Sequence, residues 1–252
     1  MKRQIKTGSV QRLFAKPRSF VRETRRQLRD HHLGRIVNAL IITNAVSLAL
    51  FLMRLVGAEN FRYWFMVWNL VLAWIAPLVA WLLVRQLATK PWRHWSSVLL
   101  TVAWLGFLPN SFYMVSDLIH VQQTGEVNII FDTVLFASFI FNGFIAGFLG
   151  TFLLHRQLLK RLSYTRAFAV VIAVFALCGY AIYLGRVLRW NTWDALVQPA
   201  AVLFDISDTI INPLSHPQAY VITLSFTLLI SALYLLAWEV YRVLRIRSDA
   251  PR

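Results

Sequence analysis

The sequence lacks the features that a secreted or soluble domain of its size needs. Its 252 residues contain one cysteine, Cys178, so an intrachain disulfide is excluded. Charged residues make up 15% of the chain, against about 25% in soluble domains, which leaves too little polar surface to cover a large core. No cleavable signal peptide is visible, because the first apolar run begins only near Ile36 and has no small-residue cleavage site after it.

Recognised catalytic motifs are absent as well. The sequence has no zinc-binding His-Glu-x-x-His, no phosphate-binding loop and no Gly-x-Ser-x-Gly turn. Cys178 lies in an apolar run, where burial makes a thiol unreactive. Asp117-x-x-His120 offers two metal ligands, and a metal site would need more from other helices. The sequence therefore assigns no metal site, leaves open whether a metal binds, and leaves any cofactor unknown.

The residues that are abundant are apolar, and they occur in long runs. The chain is 58% hydrophobic, and a helix needs about 20 apolar residues to cross a bilayer. Six segments meet this requirement, which predicts an all-α integral membrane protein with about six transmembrane helices in one domain over residues 36–240. The predicted spans are 36–53, 63–84, 96–116, 129–154, 167–185 and 218–240, with Pro77 as an expected kink in the second.

The positive charge is distributed as in a membrane protein rather than as in a nucleic-acid-binding protein. The net charge is +15, and eleven of the 26 lysines and arginines lie in the first 35 residues. With the N-terminus in the cytoplasm, 22 basic residues fall inside and four outside, which are Arg54, Arg62, Arg186 and Arg189. Both termini are therefore predicted to be cytoplasmic, as basic tails over residues 1–35 and 241–252. The N-terminal tail is expected to contact anionic lipid headgroups, and no nucleic acid is expected.

The third predicted span carries a polar stripe near its outer end. Asn110, Tyr113, Asp117 and His120 are spaced so that they fall within an arc of about 80° on a helix. Ionisable groups at membrane depth are costly and usually face an interior site. Asp117 and His120 are therefore candidate catalytic residues, and Asn110 and Tyr113 are candidate substrate-binding residues. The alternative is that Asp117 and His120 only mark the solvated end of the helix.

Pro109 is expected to break or kink the same span. Proline has no backbone N–H, and its ring clashes with the carbonyl four residues before it. The segment from Ser96 to Leu108 covers only about 20 Å, too little to cross about 30 Å of hydrocarbon. The chain after Pro109 is therefore expected to complete the crossing or to lie near the outer boundary.

The fourth span has a carboxylate and small residues on one face. Asp132 lies in its first turns, on the same side as Gly143, Gly147 and Gly150. The spacing Gly143-x-x-x-Gly147 is typical of helices that pack closely. Asp132 is therefore expected to point into the bundle, where it could orient the catalytic residues of the third span.

Two arginines after the fifth span oppose the positive-inside trend. Arg186 and Arg189 either pair with Asp117, Asp132 or Asp194, or they bind an anionic group, since arginine binds carboxylates and phosphates bidentately. Together with Asn191 and Asp194, they are candidate substrate-binding residues. Trp190 and Trp193 suit the membrane interface.

The segment 199–217 is too short and too polar to span a bilayer. Asp205, Asp208 and Asn212 lie opposite Leu203 and Ile210 on a helix, which predicts an amphipathic helix on the outer surface. This helix could cover a cavity between spans three, four and five. Its carboxylates are either a solvated face or an acid–base pair.

Three blocks of this sequence resemble a known bacterial family. They are residues 107–120 (Phe-Leu-Pro-Asn-Ser-Phe-Tyr-Met-Val-Ser-Asp-Leu-Ile-His), Phe131-Asp132, and residues 185–194 (Gly-Arg-Val-Leu-Arg-Trp-Asn-Thr-Trp-Asp). They are similar to the signature blocks of a membrane-protein family known as domain of unknown function 1361, over roughly residues 40–240. The resemblance implies a multi-pass protein of the bacterial cytoplasmic membrane and implies no particular reaction.

Three functions are compatible with these patterns. The first is an enzyme or binder that acts on an anionic amphiphilic envelope molecule at the outer ends of spans three to five. The second is a transporter or channel that uses the break at Pro109, although Asn38, Asn44 and Asn69 are the main polar residues elsewhere in the spans. The third is a non-catalytic assembly or scaffold subunit. The sequence leaves the oligomeric state open.

Overall fold

The computed structural model describes residues 31–122, 127–191 and 193–249. The chain divides into two units, Met1–Ala45 and Val46–Arg252. Within the first unit, the described part is the beginning of one long helix. Most of the predicted basic N-terminal tail, with its expected lipid contacts, lies outside the described residues, as does the end of the C-terminal tail.

The described residues are helical apart from short connections. The helices are α1 (His31–Ala58), α2 (Trp64–Leu87), α3 (Trp95–Tyr113), α4 (Ile129–Leu158), α5 (Tyr164–Arg186), α6 (Asp194–Val197), α7 (Pro199–Ile211) and α8 (Pro217–Asp249), with 3-10 segments at Met114–His120 and Pro213–Ser215. Local polar groups fix two of the starts. Asn128 Oδ1 accepts a 2.8 Å hydrogen bond from the Ile130 N–H at the beginning of α4, and His94 Nδ1 accepts one of 3.3 Å from the Ser96 N–H at the beginning of α3.

Six of these helices are long and apolar enough to cross a membrane, which confirms the predicted all-α bundle. Within the described residues, the candidate spans are Gly34–Ala58, Trp64–Leu87, Trp95–His120, Ile129–Leu158, Tyr164–Arg186 and Pro217–Leu244. The protein is therefore a multi-pass membrane protein. Helices α3 and α5 end where α2, α4 and α8 begin, and we call this end of the bundle the site end.

The third span does not break at Pro109, and the chain after Pro109 continues the span to His120. Helix α3 is continuous from Trp95 through Pro109 to Tyr113, and only then does it tighten into the 3-10 segment Met114–His120. Proline removes one intrahelical hydrogen bond, but the buried side chains of Leu108 and Phe112 hold this turn in the core. Helix α2 likewise continues through Pro77.

Helix α4 packs closely against α2 and α3 through its glycines. A Cβ at Gly143 would overlap the carbonyl oxygen of Ser111, and one at Gly147 would lie 2.7 Å from Phe112 Cζ. A Cβ at Gly150 would lie 3.2 Å from Pro77 Cα on α2. The small residues therefore let the backbones approach, as the sequence pattern indicates. This packing buries one face of α3 and leaves the opposite face, with Asn110 and Tyr113, directed between α2 and α5.

The interior between α3, α4, α5 and α8 is filled by aromatic rings. The ring of Phe112 lies 5.4 Å from that of Phe144 and 5.9 Å from that of Phe175, and the ring of Phe148 lies 5.4 Å from that of Tyr234. Such edge-to-face and tilted contacts add stability beyond area burial. This aromatic core occupies the middle of the bundle, so polar side chains concentrate near the ends.

Helix α7 lies in the connection from α5 to α8, at the predicted position of the amphipathic helix. Its large exposed side chains are apolar, and they are Leu203, Phe204, Ile210 and Ile211. Its carboxylates make local contacts. Asp205 accepts a 2.7 Å hydrogen bond from Trp190 Nε1, and Asp208 contacts Asn212 Nδ2 at 2.6 Å and His216 Nε2 at 2.8 Å. These two hydrogen bonds lower the pKa of Asp208 below its usual range.

Candidate functional site

A cavity of about 450 Å³ opens at the site end of the bundle. Its floor is the face of α3 that α4 leaves uncovered, its walls are the first turns of α2 and the last turn of α5, and residues of the α5–α8 connection complete it. All four residues of the polar stripe line this cavity, together with Arg186 and Asn191. The lining residues from the stripe are Asn110, Tyr113, Asp117 and His120.

Arg186 is the centre of the polar network. Its Nε and Nη2 donate hydrogen bonds of 2.9 Å and 2.7 Å to Ser116 Oγ, and Nη2 also donates to Asp117 Oδ1. The guanidinium carbon lies 4.4 Å from the ring centroid of Tyr113, within cation–π range. These contacts orient the guanidinium plane, while 20% of the side chain stays exposed. The guanidinium of Arg186 is therefore fixed in orientation, and part of it stays accessible from the cavity.

Asp117 is the counter-charge of Arg186. Its side chain is 3% exposed, and its second oxygen, Oδ2, accepts a 2.9 Å hydrogen bond from Asn69 Nδ2 on α2. Both carboxylate oxygens are thus engaged by side chains from two other helices. Burying two charges costs several kcal/mol per ion, so this pair compensates a penalty that apolar residues would avoid.

His120 is the last member of the polar network, and it lies on the side of α2. Arg186 Nη1 lies 3.2 Å from His120 Nε2, and because a guanidinium only donates, the contact is a hydrogen bond when Nε2 is unprotonated. The proton of the neutral ring is then on Nδ1. The ring of Phe65 packs edge-on against the imidazole with centroids 5.3 Å apart. This arrangement leaves Nδ1 as the atom of His120 through which a proton could pass.

The chain after α5 turns back over the cavity. Arg189 has a positive φ of 63°, and it is exposed, so its role here is in the turn. The turn returns the Trp190 N–H to the carbonyl of Leu184 at 3.1 Å. Asp194 Oδ2 accepts a 2.6 Å hydrogen bond from the Asn191 N–H, which fixes the segment that carries Asn191 along the cavity wall. Asp194 and Arg189 thus shape the wall without being among its lining residues.

Asp132 is placed elsewhere. It is fully buried, as predicted, but it pairs with Arg54 of α1, whose Nε lies 3.2 Å from Asp132 Oδ1. Tyr63 connects the two clusters, because its hydroxyl lies 3.4 Å from both Asp132 Oδ2 and the carbonyl oxygen of His120. Burial and the neighbouring carboxylate raise the pKa of Tyr63, so this hydroxyl remains a neutral donor. Within the described residues, Tyr63 therefore links Asp132 to the backbone of His120, and its single O–H can donate fully to one of these two acceptors at a time.

The rest of the cavity lining is aromatic and apolar. Its aromatic side chains are Phe65, Trp68, Tyr113, Trp190 and Trp193. Amides of Asn69, Asn110 and Asn191 add neutral donors and acceptors, and Leu72, Ala181 and Leu184 line it further. Among the described residues, no three histidine, cysteine or acidic side chains converge to hold a metal ion. The cavity is thus suited to an organic group that offers both polar atoms and an apolar surface.

Several residues of this network are not predicted by the sequence patterns. Asn69 is an isolated amide in an apolar span. Because an unpaired amide in a bilayer is costly, its presence there could have indicated a polar partner on another helix. Ser116 interrupts the polar stripe at the wrong angle for a regular α-helix, but the 3-10 geometry from Met114 onward brings it to Arg186. Arg54 was visible as one of four basic residues on the outer side.

Comparison with known proteins identifies a family and no activity. No curated protein and no solved structure matches the chain significantly. The model of one family, described as "Protein of unknown function (DUF1361)", matches residues 68–233, which is more than half of the chain and includes α3, α5 and most of the cavity lining. The chain therefore belongs to this family of proteins of unknown function.

Proposed function

We propose that this protein binds the polar headgroup of a membrane amphiphile in the cavity at the site end, in the cytoplasmic membrane of a bacterium. The observation that carries the proposal is Arg186, a cation whose plane is fixed by Ser116, Asp117 and His120 while a fifth of the side chain stays accessible. A preoriented guanidinium is suited to a carboxylate or phosphate oxygen. The ligand is therefore an amphiphile with an anionic group.

The surrounding groups favour a headgroup larger than a simple ion. Asn110 and Asn191 offer amide donors and acceptors, and Trp190 and Trp193 offer flat apolar faces beside Arg186. Aromatic faces combined with a few polar groups are typical of sites for organic ligands. Asp117 neutralises part of the Arg186 charge, which favours a headgroup with one accessible anionic oxygen over a highly charged solute.

The cavity also reaches surface that a bilayer would cover. Trp68 and Gly106 line it and are exposed, although both lie within membrane-spanning helices. Exposed positions on a span face lipid. An amphiphile could therefore keep its chains in the bilayer while its headgroup enters between α2 and α5. This lateral opening supports a membrane-resident ligand over a water-soluble one.

The two other functions receive less support. The transporter interpretation depended on a broken third span, but α3 is continuous through Pro109, and aromatic rings fill the middle of the bundle. A scaffold gains nothing from a buried ion pair beside an open cavity, since apolar packing would be at least as stable. If the binder is also an enzyme, His120 is its proton-transfer group, because Nδ1 is left available by the bond to Arg186.

Retention of native lipid tests the proposal. The full chain, purified in mild detergent after extraction from bacterial membranes, is analysed by lipid mass spectrometry beside Arg186→Gln and Asn110→Leu variants. One amphiphile class should be enriched with the wild type, and its retention should fall by about tenfold or more in Arg186→Gln, as expected for loss of a charged hydrogen bond. Arg62→Gln is the matched control, because Arg62 is an exposed arginine at the same end and does not line the cavity.

The outcomes separate the proposal from its alternatives. Equal lipid profiles for the wild type, Arg186→Gln and Arg62→Gln would show that the cavity retains no amphiphile. Loss of the folded protein in Arg186→Gln would be recognised by size-exclusion chromatography. Asn110→Leu then carries the test, since Asn110 lines the cavity and is not a member of the Arg186–Asp117 ion pair.

A further inference from the structure

A second cavity, of about 520 Å³, lies at the opposite end of the bundle. It is formed where α4 ends, α5 begins and α8 passes both. Arg156 comes from the last turn of α4, Lys160 from the turn that follows it, Tyr164 from the start of α5, and Trp238 and Arg242 from α8. It shares no residue with the cavity that contains Arg186.

We infer that this second cavity is a binding site for a phosphate group, carried by an anionic lipid or by a free solute. The inference is independent of the function proposed for the site end. Its first basis is charge. Arg156, Lys160 and Arg242 line the cavity, and Glu239 accepts two bonds from Arg242 at 2.9 Å and 3.1 Å. Among the described residues, the site thus has a net positive charge.

The beginning of α5 supplies a second attraction for an anion. This helix has 23 residues, and its N-cap residue, Ser163, makes no side-chain hydrogen bond to the first turn. Uncapped N–H groups and the helix dipole favour an anion at such a position. Tyr164, the first residue of the helix, lines the cavity. The positive end of the helix therefore adjoins the three cations.

Trp238 provides an unused donor at the same place. Its side chain is 5% exposed, it lines the cavity, and its buried Nε1 has no hydrogen-bond partner among the described residues. The imidazole of His155 stacks on the indole with ring centroids 4.1 Å apart, which fixes the ring. A buried indole N–H normally finds an acceptor, so this N–H is a donor beside the cavity whose acceptor is not among the described residues.

The chemistry of these groups favours phosphate. Guanidinium groups bind phosphate oxygens in a directed way, and an ammonium such as that of Lys160 adds a point charge. Basic cavities between transmembrane helices bind the headgroups of anionic lipids in this way. The aromatic rings of Trp238 and Tyr241 offer apolar surface to the glycerol and upper acyl region of such a lipid.

Paired double variants test the inference. Arg156→Gln/Lys160→Gln removes two lining charges, and Arg161→Gln/Arg166→Gln removes two charges from exposed residues of the same connection that do not line the cavity. Native mass spectrometry of the full chain measures binding of phosphatidylglycerol, with phosphatidylcholine as the uncharged comparison. Binding of phosphatidylglycerol should weaken by about tenfold or more in the cavity variant and by less than about twofold in the control.

Three further results complete the test. If millimolar inorganic phosphate competes with phosphatidylglycerol, free phosphate is sufficient for binding. If phosphatidylglycerol binds and inorganic phosphate does not compete, the phosphate group is that of the lipid. Arg156→Lys/Lys160→Arg, which keeps both charges, should bind like the wild type. Equal weakening in the two Gln variants would overturn the inference, because it would assign the binding to diffuse attraction by basic residues, and so would unchanged binding in both.

Discussion

Replacement of Asp117 by asparagine perturbs the centre of the candidate site while it keeps the shape of the side chain. The asparagine removes the counter-charge of Arg186, and its NH2 group cannot accept, so the Asn69 amide must turn over and accept with its oxygen if both contacts are kept. Breaking a buried ion pair costs about 3–5 kcal/mol. Arg186 is 20% exposed and keeps Ser116 and His120, so we expect about 3 kcal/mol, at the lower end of this range.

A double-mutant cycle with Arg186→Gln isolates the pairwise interaction. Each single variant leaves one buried charge without its partner, whereas the double variant leaves neither. The double variant should therefore be more stable than the sum of the single effects predicts, with a coupling free energy of about 2 kcal/mol or more. Unfolding in detergent, followed by tryptophan fluorescence and denaturant titration, measures all four free energies.

A charge change at an exposed residue serves as the control. Glu59→Gln makes the same change of charge at an exposed residue and should alter the free energy of unfolding by less than about 0.5 kcal/mol. Additivity within about 0.5 kcal/mol in the Asp117–Arg186 cycle would refute the reasoning. It would mean that the two charges are solvated independently in the folded protein.

Three other changes have defined outcomes. Gly143→Ala should destabilise the folded state by about 1–3 kcal/mol, because its Cβ would overlap α3, whereas Gly34→Ala, with open space around it, should not; thermal unfolding compares them. Arg54→Met should cost about 3 kcal/mol or more in denaturant titrations, because it leaves the fully buried Asp132 carboxylate unpaired. The folded-state pKa of Asp208 is lowered, so its contribution to the stability of the connection between α7 and α8 is present above the unfolded-state pKa and is lost as the pH falls through the folded-state pKa. Proteolysis between α7 and α8 should therefore accelerate in acid, and Asp208→Asn should abolish this acceleration.

Much of the fold follows from the sequence because bilayer insertion imposes a simple rule on it. A span needs a continuous apolar run, and the six runs that meet this rule are six long helices in the structure. The close approach of α4 to α3 also follows from sequence, since Gly143 and Gly147 recur on one face. The direction of insertion, with both termini in the cytoplasm, stays a prediction from the charge count.

The site is less predictable, because its contacts join helices that are distant in sequence. The polar stripe from Asn110 to His120 has a local period, and these residues share a cavity. The partners of that stripe have no period. Asn69 on α2 donates to Asp117, and Arg54 on α1 pairs with Asp132 outside the cavity. Both contacts depend on how the helices pack, which the local sequence does not show. The change from α to 3-10 geometry at Met114 also alters which side chains face inward.

The central claim is that the cavity beside Arg186 holds the headgroup of a membrane amphiphile, and an experimental structure in native lipid tests it most directly. Cryo-electron microscopy of the full chain in nanodiscs made from bacterial membrane lipid would resolve the lining of α2, α3 and α5. The account predicts non-protein density within hydrogen-bonding distance of the Arg186 guanidinium, continuous with acyl-chain density beside Trp68 and Gly106. A cavity that contains only water, or one that neighbouring side chains close, would contradict it.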